Sequence, residues 1–141
     1  MTAEEDANVN TLRNGFAEWH TTRGASVDNW MNLIADEVRW QTLGAAAAGD
    51  KFAKGCSSKS EVKRYFEELG TSWAMLGYKM NEFIAQGDRV VAVGNVSWRH
   101  RATGNEVNTP LVNVIRMRDG KIVDFMEFYD TAAAMAGTRP A

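Results

Sequence analysis

The sequence predicts an α+β fold, with helices gathered on one face of a strongly curved antiparallel sheet. Two observations carry this prediction. In the first half of the chain apolar residues recur every three or four positions, and in the second half they alternate every two. The turn signals "QGDR", "ATGNE" and "DG" then cut the second half into four consecutive strands, so that helices and strands are segregated along the chain.

The elements follow in order. Residues 6–23 read as a helix, because Val9, Leu12, Phe16 and Trp19 form a stripe that Arg13 and Glu18 avoid, and Gly24 stops it. Ser26 is placed to cap a short second helix whose inner side is Trp30, Leu33 and Ile34. The period then changes. "EVRWQTL" alternates, with Val38, Trp40 and Thr42 on one face and Arg39, Gln41 and Leu43 on the other. Gly44 to Cys56 has no period and reads as a surface loop or, alternatively, as a lid over a site. Ser58 and Glu61 make a capping-box signal for a third helix with Val62, Tyr65, Phe66, Leu69 and Trp73 inside. Strands follow at about residues 75–85, 90–101, 107–118 and 122–129, and a last short helix begins near Asp130, which can cap it. The whole reads as a single domain spanning residues 1–141, with 137–141 frayed.

Composition narrows the function classes. The 141 residues are 45% hydrophobic, enough for one core and a modest cavity. A net charge of −2 with scattered Lys and Arg gives nucleic acid nothing to bind, and no apolar run is long enough to span a bilayer. The single cysteine, Cys56, excludes an intrachain disulfide, and the acidic "MTAEEDANVN" start lacks the regions of a signal peptide, so a cytoplasmic location is expected. His20 and His100 stand far apart with no metal-ligand spacing, and no phosphate loop or GxSxG is present, so no metal or cofactor is expected. Five Trp and six Phe are consistent with an aromatic core, an aromatic-lined pocket for an apolar ligand, or both.

Candidate site residues emerge where polar groups interrupt apolar strand rows. Thr42 follows Val38 and Trp40. His100 ends the row Val90, Ala92, Gly94, Val96, Trp98. Asn113 sits between Leu111 and Ile115, and Glu127 shares a face with Val123, Phe125 and Tyr129. Burying any of them without a partner costs a few kcal/mol, so each needs a hydrogen bond, a water or a ligand. Thr42 is small enough to bond its neighbours, and His100 is near enough to a strand end to be exposed. Asn113 needs several partners. Glu127 either performs chemistry or makes a structural ion pair or hydrogen bond.

Three segments carry a resemblance: "FAEWHTTRGASVDNWMNLIADEVRWQTLG", "SEVKRYFEEL" and "NTPLVNVIRMRDGKIVDFMEFYDTAAAMA". Nearly the whole chain resembles the SnoaL-like and ketosteroid-isomerase-like branch of the nuclear-transport-factor-2-like superfamily. That resemblance implies a cone: a curved sheet wrapped around a pocket partly closed by helices, and a homodimer formed through the outer sheet face. It does not imply one reaction. The isomerase base falls on Thr42, which cannot do that work. The tyrosine donor falls near Ala17, with Phe16 and Trp19 beside it, and the oxyanion-binding acid falls on Asn113. In the epoxide hydrolase branch, two first-strand residues fall on Trp40 and Thr42, and an arginine–aspartate pair falls on Gly94 and Val96 without matching. A last-strand aspartate of that branch falls on Glu127, which keeps a carboxylate.

Three readings stand at this point. In one, the protein is an isomerase-, cyclase- or hydrolase-type enzyme acting on a small apolar carbonyl or cyclic molecule. Glu127 is its acid/base, Asn113 holds the substrate oxygen, and His100 orients Glu127 or shares its proton. The pocket walls are Trp40, Thr42, Trp98, Phe125 and Tyr129, with Phe16 and Trp19. In the second, the same pocket binds a small apolar ligand without catalysis. In the third, the protein is a structural or interaction module with a vestigial pocket.

Overall fold

The computed structural model describes residues 1–42 and 55–140. Leu43 and all but the last two residues of the Gly44–Cys56 segment, read above as a loop or lid, lie outside the described residues.

Helix α1 runs Ala3–Thr21, α2 Val27–Leu33, β1 Ile34–Thr42, α3 Lys59–Ser72, β2 Trp73–Gln86, β3 Arg89–His100, β4 Glu106–Arg118, β5 Lys121–Tyr129 and α4 Thr131–Gly137. α1 begins three residues before the expected start at residue 6, because Thr2 caps it in a reciprocal box with Glu5. Ser58 and Asp130 cap α3 and α4 through Glu61 N–H and Ala133 N–H, as expected. Ser26 occupies the N-cap of α2 without a side-chain cap bond. Trp73, which continues the inner stripe of α3 in sequence, starts β2, and Ile34 starts β1. Among the described residues, no helix is long and apolar enough to cross a membrane.

The five strands lie in the order β1-β5-β4-β3-β2. β2 to β5 form the expected antiparallel meander, whereas β1 joins the sheet parallel to β5. The inner rows of β3 and β4 are those the alternation predicts: Val90, Ala92, Gly94 and Val96 are buried, as are Leu111, Asn113, Ile115 and Met117. β2 and β5 depart from strict alternation at bulges. Leu76 and Asn81 are skipped in the pairing of β2 with β3, so Met75 and Tyr78 face the same side. Val123 is skipped in the pairing of β5 with β4. Ile122 therefore joins Phe125 in the core, a correction to the face that simple alternation assigns to it.

The bulges and one glycine bend the sheet. Gly94 faces inward opposite Met80, and a Cβ there would lie 1.8 Å from the Lys79 carbonyl oxygen. Only a bare backbone admits β2 this closely. α1 packs along the concave side of β2, where Phe16 stacks on Tyr78 with ring centroids 5.7 Å apart. Gly137, expected at the frayed end, is instead buried. Its carbonyl accepts hydrogen bonds from Thr103 and Asn105, which tie α4 to the β3–β4 turn.

Candidate active site

The concave side of the sheet and the helices enclose a cavity of about 80 Å³. Trp40 and Thr42 reach it from β1, Trp98 from β3, Phe125, Glu127 and Tyr129 from β5, and Phe16 and Trp19 from α1. All seven residues expected as pocket walls therefore line it. The register explains their convergence: Trp40 lies beside Phe125 and Thr42 beside Glu127 across the parallel β1–β5 pair. The Trp40 and Phe125 rings stack with centroids 3.8 Å apart and form a flat wall.

Glu127 is half-buried and, among the described residues, is the only Asp, Glu, Lys, Arg or His lining the cavity. The phenol of Tyr78 donates to Glu127 Oε2 at 2.8 Å. Asn113 Nδ2 in turn donates to Tyr78 Oη at 2.9 Å. Burial raises the Glu127 carboxyl from 4.5 to about 7, and the Tyr78 hydrogen bond opposes part of that rise by stabilising the charged form. Burial also pushes the phenols of Tyr65 and Tyr78 well above 10, and the charge of Glu127 adds to this. All three tyrosines of the chain, Tyr65, Tyr78 and Tyr129, line this one cavity.

Two expectations are corrected. His100 does lie on the inner row of β3, but at its far end. Its ring packs edge-on against Trp73 at 4.7 Å and its Nδ1 pairs with Thr103 Oγ1 at 3.1 Å. It does not line the cavity and makes no hydrogen bond to Glu127; Tyr78 occupies that role. Asn113 is the cross-strand neighbour of Glu127, yet it is fully buried and does not line the cavity. Its amide N–H is instead committed to Tyr78 Oη.

Tyr78, which lines the cavity and donates to Glu127, is not among the residues that the sequence pattern singles out. Strict alternation from Met75 puts it on the opposite face, and only the bulge at Leu76 turns it inward. Its backbone N–H donates to His20 Nδ1 at 2.9 Å, which fixes the bulge against α1. The signal available in the sequence was a lone tyrosine directly after Gly77 in an apolar strand.

An acid with a midpoint near neutrality, set in an aromatic cavity and held by one phenol, defines a site suited to proton transfer on an uncharged molecule. The fold around it belongs to a known class. The SnoaL-like domain profile matches residues 13–125, and the chain belongs to that family. Among solved structures, an NTF2-like protein from Burkholderia thailandensis is 26% identical and superposes with a TM-score of 0.78 over 99% of this chain and 100% of its own. An NTF2-like protein from Burkholderia xenovorans is 22% identical, with a TM-score of 0.78 over 96% of this chain and 98% of its own. TerC, co-crystallised with polyporic acid, is 22% identical, with a TM-score of 0.75 over 92% of this chain and 96% of its own. The architecture is thus the NTF2-like cone, a curved and unclosed sheet closed over by helices. No curated protein matches the sequence.

Proposed function

We propose that this SnoaL-like protein is an acid/base enzyme of the isomerase, cyclase or hydrolase type, acting on a small, mostly apolar carbonyl-containing or cyclic molecule. The observation that carries the proposal is Glu127: among the described residues, it is the one carboxyl, raised to about 7, in a cavity otherwise lined by aromatic and aliphatic groups and hydroxyls. At that midpoint both protonation states are populated near neutral pH, so the group can take a proton in one step and return it in the next. The aromatic walls suit a planar or cyclic ligand. TerC, which shares the fold, was co-crystallised with polyporic acid, and this supports a small-molecule ligand here.

The test is deuterium incorporation from D2O into the α-positions of a panel of small cyclic ketones and enones, with ring opening of cyclic epoxides followed in parallel by NMR. Glu127→Gln is expected to keep the fold and probe binding while abolishing conversion. Unchanged conversion by that variant overturns the assignment of Glu127.

A second reading, a non-catalytic carrier of the same ligand class, is favoured by one observation. The position that the resemblance gives to the ketosteroid isomerase base is Thr42, and among the described residues no second carboxylate or imidazole lines the cavity. Probe binding without conversion by the wild type supports it. We also propose a homodimer through the outer sheet face, where Phe128 and Ile84 are exposed beside the half-buried Val91, Val112 and Val114. A monomeric mass by light scattering removes that proposal.

A further inference from the structure

We infer that Asn113 and Tyr78 form a positioning relay that reserves Oε2 of Glu127 as a permanent hydrogen-bond acceptor and makes Oε1 the oxygen that exchanges a proton with the ligand. The inference rests on the acid/base reading of Glu127 and goes beyond it by assigning roles to two residues and to individual atoms.

The argument starts from the inventory of donors and acceptors. A phenol has one hydrogen to give. Asn113 Nδ2 presents its N–H to Tyr78 Oη, so the oxygen of Tyr78 is already accepting and its single hydrogen is free to go elsewhere. That hydrogen points to Glu127 Oε2 at 2.8 Å. If the amide were turned over, Asn113 Oδ1 would compete for the same hydrogen and leave the carboxylate without its donor. Hydrogen bonds to a charged oxygen are the stronger ones, so ionised Glu127 favours the orientation observed. Asn113 Oδ1 is left buried with no partner among the described residues. That is the expected cost when an amide is kept for the donor at one end only. An apolar side chain in this fully buried row would avoid the cost and lose the donor.

The consequence for proton transfer is atomic. With Oε2 occupied as an acceptor in both states, the proton of the acid form resides on Oε1. When the acid acts, the Oε1–H bond breaks and the proton passes to an acceptor atom of the ligand. The carboxylate that remains keeps the Tyr78 hydrogen on Oε2. In the reverse step Oε1 takes a proton from the ligand and the electron pair of the broken bond stays on the ligand. Asn113 touches neither ligand nor Glu127 in this scheme; it acts through Tyr78. The ionisable groups facing Glu127 are Tyr78 from β2, Tyr65 from α3 and Tyr129 on its own strand. Its described neighbours on β1 and β4, Thr42 and Asn113, carry no charge.

The experiment is a titration of Glu127 followed by the NMR signal of its 13C-labelled side-chain carboxyl, identified by its loss in Glu127→Gln. It needs no substrate. Tyr78→Phe removes a hydrogen bond to the charged form, so the midpoint is expected to rise by about half a pH unit or more. Asn113→Leu, or Asn113→Ala if the leucine variant does not fold, is expected to raise it by a smaller amount. Added to Tyr78→Phe, either Asn113 change is expected to have no further effect. The pH profile of any conversion by the wild type and Tyr78→Phe is expected to move with the same midpoints. An unmoved midpoint in Tyr78→Phe overturns the relay. So does an Asn113 effect that persists undiminished in the Tyr78→Phe background, because Asn113 would then act directly or through packing. Conversion that survives Glu127→Gln refutes the enzymatic reading while the titration still decides the relay.

Discussion

Replacing Glu127 by glutamine should change how stability depends on pH. The carboxyl titrates near 4.5 when unperturbed and at about 7 in the folded protein, the shift being caused first by burial. The folded state therefore holds its proton more tightly than the unfolded state. Its contribution is fully favourable below pH 4.5 and is lost as pH rises through 7. At about 1.4 kcal/mol per unit, the shift costs the wild type about 1 kcal/mol at pH 5 and about 3 kcal/mol at pH 7, with little further loss above that. Glutamine has nothing to ionise and feels none of this. The assay is urea denaturation of both proteins at pH 5, 6, 7 and 8, taking the difference in unfolding free energy so that other titrating groups cancel. That difference should move by about 2 kcal/mol in favour of glutamine between pH 5 and pH 7. A flat difference would mean that the folded carboxyl titrates near its ordinary value, and the reasoning about its burial would fail.

Two further outcomes are expected. Gly94→Ala would place a Cβ 1.8 Å from the Lys79 carbonyl oxygen and 2.7 Å from Met80 Cα, so β2 and β3 must part. A loss of about 2–4 kcal/mol in urea denaturation is expected, and a neutral result would show that the bend is not pinned there. His20 accepts the Tyr78 N–H through Nδ1, and burial followed by Arg23 and Lys79 lowers its affinity for a proton. The stability that neutral His20 confers is present above pH 6.5 and is lost as pH falls through its lowered folded value. His20→Gln should therefore narrow the gap in melting temperature between pH 7.5 and pH 5, and a gap equal to that of the wild type would remove His20 from the account.

The sequence disclosed those parts of the fold whose signals are local. The caps at Ser58 and Asp130 and the alternating rows of β3 and β4 could all be read directly, because each depends on residues a few positions apart. Glu127 and Asn113 stood out for the same reason. The parallel pairing of β1 with β5 left no local trace, since Trp40 and Phe125 meet across 84 intervening residues in a register that only the assembled sheet defines. Tyr78 was hidden by a bulge, and bulges arise from how two strands pair rather than from the composition of either. His100 was placed on the correct row, but a row does not say how far along it the site lies. Trp73 was read as helical because its spacing from Leu69 fits one more turn, and the change to strand buries it on the same side.

The parallel seam between β1 and β5 also orders events in time. During synthesis, residues 34–42 leave the ribosome long before residues 121–129 exist. Until then Trp40 has no Phe125 to stack on, and the flat wall of the cavity is an unpaired apolar edge. α3, made in between, sets Phe66 edge-on against Trp40 at 5.5 Å in the folded protein. The strand that supplies Phe125 also brings in Glu127, and only α4, with the lining residue Ala134, follows it in the chain. A nascent chain stopped before β5 has most of its helices and strands, but neither the pocket wall nor the acid.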